Sequence, residues 1–158
     1  MEKTRIEILD RRQFLVLSGA ATVAAALTGH AGTANADAAM TMDAMKKLIG
    51  DVQPAEGSMI KVDLPEIAEN GNTVPIKVTV DSPMTDADHV KAVHLFAEGN
   101  PLPNVATYRF TKMSGQAHAA SRMRLAKTQN IVAVAEMSDG KVYMTKTQVK
   151  VTIGGCGG

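Results

Sequence analysis

The 158-residue chain carries 17 Lys and Arg against 16 Asp and Glu, a formal net charge of +1. That balance excludes the strongly basic surface of a nucleic-acid binder, and no run of like charge suggests a solvated tail. With no Trp, two Tyr and three Phe, a core must be built from Val, Ile, Leu, Met and Ala, and a single Cys leaves no mate for an internal disulfide.

Residues 1–36 read as an export signal that stands outside the fold. Arg11-Arg12-Gln13-Phe14-Leu15 matches the core of a twin-arginine signal. The apolar stretch from Phe14 to Leu27 that follows has 14 residues, too few to span a bilayer core, which needs about 20. Ala34-Asn35-Ala36 supplies the small-x-small pattern of a cleavage site. No membrane anchor is expected. The mature chain then starts at Asp37, and its 122 residues carry 13 basic and 13 acidic side chains, one domain by size. Twin-arginine export carries folded proteins to the periplasm, often with a cofactor or a partner already bound. No cofactor site is discernible in this sequence, so a partner bound before export is the more economical reading.

One short helix is expected first, and strands after it. Thr41 can cap a helix from Met42 to about Ile49, with Met42, Met45, Leu48 and Ile49 on one stripe and Gly50 as its stop. Val74 to Val80 alternates cleanly, with Val74, Ile76, Val78 and Val80 on one face, and predicts a strand with one buried side. Val90 to Ala97 predicts a second strand, apolar on both faces, turned by Glu98-Gly99-Asn100-Pro101. Weaker strands fit 105–111 and 117–125. Ile131 to Met137 is nearly continuous in small apolar residues and reads as central. Ser138-Asp139-Gly140 reads as a hairpin turn, and 142–153 as the last strand. About seven strands with no helical pattern between them predict an all-β, immunoglobulin-like β-sandwich over 37–153.

Residues 154–158, Gly154-Gly155-Cys156-Gly157-Gly158, hold the sole cysteine between two pairs of glycines. Glycine loses more conformational freedom on ordering than any other residue and has no side chain to bury. The five residues therefore read as a flexible arm carrying one reactive sulfur, with a reach of at most roughly 17 Å. The arm would spring from a sheet edge, with a rigid root. An unpaired cysteine in an oxidising compartment points to an intermolecular bond or a reactive thiol. The nearest basic residue in sequence is Lys150, and the terminal carboxylate disfavours a thiolate. Local sequence therefore does nothing to make Cys156 a catalyst. It reads as an attachment point activated by others.

The rivals are weaker. His89, His94 and His118 lack the spacing of a zinc or copper motif with Cys156. The nine methionines after residue 1 are scattered and suit a core poor in aromatics. An alternative is a periplasmic copper-binding module using Cys156, Met and His. A second makes Cys156 an intermolecular disulfide staple. The terminal Gly-Gly of ubiquitin-like sulfur carriers requires ATP, which an exported protein lacks.

The arm, the twin-arginine signal, the stretch 78–151, and the segments His94-Leu95-Phe96-Ala97-Glu98-Gly99-Asn100-Pro101 and Val132-Ala133-Val134-Ala135-Glu136 together resemble SoxY. SoxY is the sulfur-carrier subunit of the periplasmic Sox thiosulfate-oxidising system. The resemblance implies a non-catalytic carrier with no cofactor of its own, in which Cys156 holds covalent sulfur intermediates. It further implies a heterodimer with a β-sandwich subunit, SoxZ. A c-type cytochrome would join thiosulfate oxidatively to the thiol as a cysteine S-thiosulfonate. A dimanganese hydrolase would then remove sulfate, and a molybdenum-haem sulfane dehydrogenase could oxidise what remains.

Overall fold

A computed structural model of the chain describes residues 32–154, with side chains from residue 38 onward. The chain divides into two units, Met1–Ala36 and Asp37–Gly158. Arg11, Arg12 and most of the expected export signal lie outside the described residues, as do Gly155, Cys156, Gly157 and Gly158.

Helix α1 runs Gly32–Ile49, so it begins well before the expected Met42. Ala34, Ala36, Ala38 and Ala39 supply the strongest helix-forming residue type, and the helix extends back through them. Thr41 is therefore not its cap but lies within it, only 2% exposed. The stop is as expected: Gly50 takes φ +73° and donates its N–H to the Lys46 carbonyl at 2.9 Å, a left-handed C-cap.

Nine strands follow: β1 Ala55–Glu56, β2 Ile60–Asp63, β3 Ile67–Ala68, β4 Val74–Val80, β5 Val90–Ala97, β6 Asn104–Arg109, β7 Ala117–Met123, β8 Gln129–Met137 and β9 Val142–Val151. Strands β4 and β5 have the expected bounds. They form two sheets, one of three strands in the order β2-β4-β7. The other has six, in the order β1-β9-β8-β5-β6, with β3 also paired to β9. The expected sandwich is present, and β8 is central in the larger sheet. The β8–β9 hairpin turns at Gly140, φ +86°. Across that turn the Lys141 side chain hydrogen-bonds the Asp139 carboxylate, which holds Asp139 below the usual carboxylate range and raises Lys141.

Alternation decides what each face buries. Val74, Ile76, Val78 and Val80 of β4 meet Val93, Leu95, Ile131, Ala133 and Val149 of the larger sheet in the main core. The larger sheet is covered on its other face as well. There Phe96, Val132, Val134 and Val142 pack with Ala44, Met45 and Ile49 of α1. This second layer explains why β5 and β8 are apolar on both sides.

The outer-face layer also settles His94, which the sequence leaves half-buried in a strand. It is 1% exposed. Its Nε2 lies 2.6 Å from Glu136 Oε1 and its Nδ1 2.9 Å from Thr107 Oγ1. Both ring nitrogens are thus satisfied, as a buried imidazole requires.

Candidate functional site

Interest centres on where β9 ends, because the arm leaves from there. The strand is not at a sheet edge, as the sequence suggested. It is flanked by β8 on one side and by β1 and β3, both parallel to it, on the other. Two-residue strands carry no periodicity of their own, so nothing in the sequence announces them.

Successive backbone groups are held until the arm begins. Val151 N–H donates to Thr128 Oγ1 at 2.9 Å. Thr152 N–H donates to the Ala68 carbonyl at 3.1 Å, and its hydroxyl to the Glu69 carbonyl at 2.7 Å. The Ile153 carbonyl accepts from Gly71 N–H at 2.7 Å, and the Gly71 carbonyl in turn accepts from Leu125 N–H at 2.8 Å. The root is therefore gripped by two loops, 69–73 and 124–128.

Gly154 is exposed, yet a Cβ placed there would run into the backbone carbonyl oxygen of Ala126. Backbone has nowhere to retreat, so glycine at 154 is required by close approach as well as suited to a hinge. Gly154, the last described residue, lies two residues before Cys156.

The 124–128 loop is itself anchored by the β5–β6 turn. Asn100 Oδ1 accepts from Ala126 N–H at 3.0 Å and from Gln129 Nε2 at 2.9 Å, while Asn100 Nδ2 donates to the Arg124 carbonyl at 2.9 Å. Gly99 N–H donates to Gln129 Oε1 at 2.6 Å. A Cβ at Gly99 would meet Lys127 Cε at 2.7 Å and Gln129 Cβ at 3.1 Å, so this glycine leaves room for the lysine stem. The turn Glu98-Gly99-Asn100-Pro101 thus fixes the loop against which Gly154 passes. Sequence reading identified the turn but not its task, because the partners lie about 25–30 residues away. Replacing Asn100 by Ala removes three hydrogen bonds, two of them partly buried, and leaves the Ala126 N–H without its acceptor. A loss of about 2 kcal/mol in urea-induced unfolding is expected. A loss under about 0.5 kcal/mol, the level of a neutral surface change, would contradict this account of the loop.

The histidine and methionine candidates are not gathered at one place. His94 is closed into the Thr107–Glu136 network. His118 Nδ1 pairs with Thr79 Oγ1 at 2.9 Å on the smaller sheet, and His89 Nδ1 lies 2.9 Å from the Thr85 carbonyl in a loop. Met84, Met123 and Met137 sit in the main core, and Met45 of α1 and Met144 of β9 in the second layer. Among the described residues no group of three or more His, Cys, Asp or Glu is placed to hold a metal ion.

Two comparisons with known proteins place this geometry. A family model described as sulfur oxidation protein SoxY matches residues 45–156. The solved structure of the sulfur carrier protein SoxY from Chlorobium limicola f thiosulfatophilum is 34% identical, with a TM-score of 0.63 over 73% of this chain and 99% of that one. The fold alone is shared more widely. A superoxide reductase (neelaredoxin) from Ignicoccus hospitalis is 17% identical with a TM-score of 0.53, covering 59% of this chain and 80% of its own. The superoxide reductase from Nanoarchaeum equitans is 14% identical with a TM-score of 0.51, covering 62% and 99%. No curated protein matches the sequence. Matched over its β-sandwich and through Cys156, the chain belongs to the SoxY family of sulfur oxidation proteins.

Proposed function

We propose that the chain is a periplasmic, non-catalytic sulfur carrier that holds thiosulfate-derived intermediates covalently on Cys156 and presents them to successive enzymes. The observation that carries this reading is the position of the sole cysteine, among four glycines and two residues beyond the clamped Gly154. A fixed root with a short tether supports delivery, since the partner need only locate a rigid body to find the thiol. Family membership and the solved SoxY described as a sulfur carrier support the same role.

The loading step forms an S–S bond between the Cys156 sulfur and the terminal sulfur of thiosulfate. One proton leaves, and two electrons pass to a partner, for which the family resemblance suggests a c-type cytochrome. Water then attacks the terminal sulfonate sulfur in a hydrolase partner. Sulfate departs and a persulfide stays on Cys156. These steps ask of this chain a thiol that can be reached. Redox and metal chemistry belong to the partners. The twin-arginine motif at Arg11 and Arg12 supports export to the periplasm, and a SoxZ-like β-sandwich is the companion we expect in the exported complex.

Intact-mass analysis of protein purified from thiosulfate-grown cells tests the reading. Adducts of sulfur and of thiosulfate are expected on the C-terminal peptide, removed by reductant. A wholly unmodified, alkylatable thiol during turnover would refute it.

A further inference from the structure

The 69–73 loop, which grips the chain just past β9, contains Asn70-Gly71. An asparagine side chain can be attacked at Cγ by the backbone nitrogen of the residue that follows it. Glycine is the most permissive follower, because it has no side chain to crowd that nitrogen. The other asparagines from residue 38 onward are followed by Thr73, Pro101, Val105 and Ile131. Three of these are β-branched and stiff beside the attacking nitrogen, and proline has no N–H to lose. Asn70 stands apart by its neighbour.

The fold treats the two reacting groups differently. Asn70 is exposed, and its Oδ1 accepts the Asn72 N–H at 2.9 Å, which draws electrons from Cγ and favours attack there. Gly71 is buried. Its N–H donates to the Ile153 carbonyl at 2.7 Å, and its carbonyl accepts from Leu125 N–H at 2.8 Å. The electrophile is thus open to water while the nucleophile keeps its proton in a hydrogen bond. Just before Asn70, the Ala68 carbonyl accepts from Thr152 N–H and the Glu69 carbonyl from the Thr152 hydroxyl. Asn70 therefore links two grips, one on Thr152 and one on Ile153.

We infer that Asn70 is a modification site, a deamidating asparagine that the grip on Thr152 and Ile153 holds in check. When the grip opens, the Gly71 nitrogen gives up its proton and bonds to Asn70 Cγ. The Cγ–Nδ2 bond breaks and ammonia leaves. Water then opens the cyclic imide at either carbonyl, giving aspartate or isoaspartate. The sum is water in and ammonia out, with no electron transferred. Isoaspartate carries the main chain through Cγ and so lengthens it by a methylene between the Glu69 and Gly71 contacts. Either product adds a negative charge. The modified loop cannot restore both grips at their present spacing, so the change is a one-way loosening at the end of β9. The inference stands on the fold and needs no reading of the cargo.

The test incubates the full chain in mildly alkaline buffer, folded or in guanidinium chloride, and follows the mass of tryptic peptide 62–77. In denaturant the peptide should gain the mass of an amide-to-acid exchange. In the folded chain the gain should be at least about tenfold slower, because reaction waits on local opening. Asn70→Gln, whose longer side chain closes the ring poorly, should show no such gain, although Asn72 remains on the peptide. Two variants weaken the grip. Asn100→Ala frees the loop on either side of Leu125, and Thr152→Val removes the hydroxyl from the Glu69 carbonyl. Each should speed the folded rate about two- to tenfold, the span of one lost hydrogen bond. Amide exchange at Gly71 and Leu125 should be faster in the aged folded chain than in the fresh one. Equal rates with and without denaturant, a gain that survives Asn70→Gln, or no response to either loop variant overturns the inference. Unchanged exchange at Gly71 after modification does the same. Should a loop variant fail to fold, the wild-type comparison and the exchange measurement still decide the matter.

Discussion

Replacing Cys156 by Ser is expected to abolish sulfur adducts and thiosulfate-dependent turnover completely, while leaving unfolding free energy within about 0.5 kcal/mol of wild type. The two halves of this expectation come from different physics. Function needs a polarisable sulfur that ionises near neutral pH, with a free thiol pKa of about 8.5, and that forms and breaks S–S bonds by exchange. A serine hydroxyl keeps the shape and does neither. Stability is expected to be insulated because the clamp at the end of β9, with the Gly71 N–H on the Ile153 carbonyl, does not involve the Cys156 side chain. Reconstituted turnover and intact mass read the first half, and urea-induced unfolding reads the second. Turnover above background with the serine variant would show that sulfur travels by another route.

The expectations that held and those that failed divide along the range of the forces that decide them. Strands β4 and β5 were legible to the residue because alternation at Val74 to Val80 and a continuous apolar run at Val90 to Ala97 are properties of the segment itself. Most of the failures needed a distant partner. Ala55–Glu56 and Ile67–Ala68 are strands only because β9 is there to pair with. Thr41 looked like a helix cap because its residue type favours that role, but the alanines before it and burial in α1 overrule the local preference. His94 looked half-exposed because sequence gives the face of a strand, not what covers that face.

The same division runs through the site. Cys156 and its glycines announce a chemistry within five residues, whereas the clamp that makes the arm useful joins Gly71 to Ile153 and Asn100 to Ala126. Only the fold brings Gly154 against the Ala126 carbonyl.

Phe96→Ala is expected to be the most damaging single change to stability away from the arm, at about 3–5 kcal/mol. The ring is fully buried between β8 and α1, against Val132, Val134, Ala44, Met45 and Ile49, with the His94 ring 6.5 Å away centroid to centroid. Its removal opens a cavity in a thin layer that holds a helix to a sheet. Main-core residues such as Leu95 are instead enclosed by two sheets. Most of a helix's stability in a protein comes from tertiary packing of its apolar face, so α1 should loosen before the sandwich does. Faster amide exchange in α1 than in β8, together with a reduced helical circular-dichroism signal under native conditions, would report that order. Phe96→Leu, which keeps most of the volume, should cost less than about 1.5 kcal/mol. If Phe96→Ala costs under about 1 kcal/mol, α1 is not held by this layer. The arm supplies an internal control, since its clamp shares no residue with the Phe96 layer. Cys156 alkylation in the folded fraction should keep its wild-type rate in Phe96→Ala, whereas Asn100→Ala, which frees the loop under Gly154, should change it.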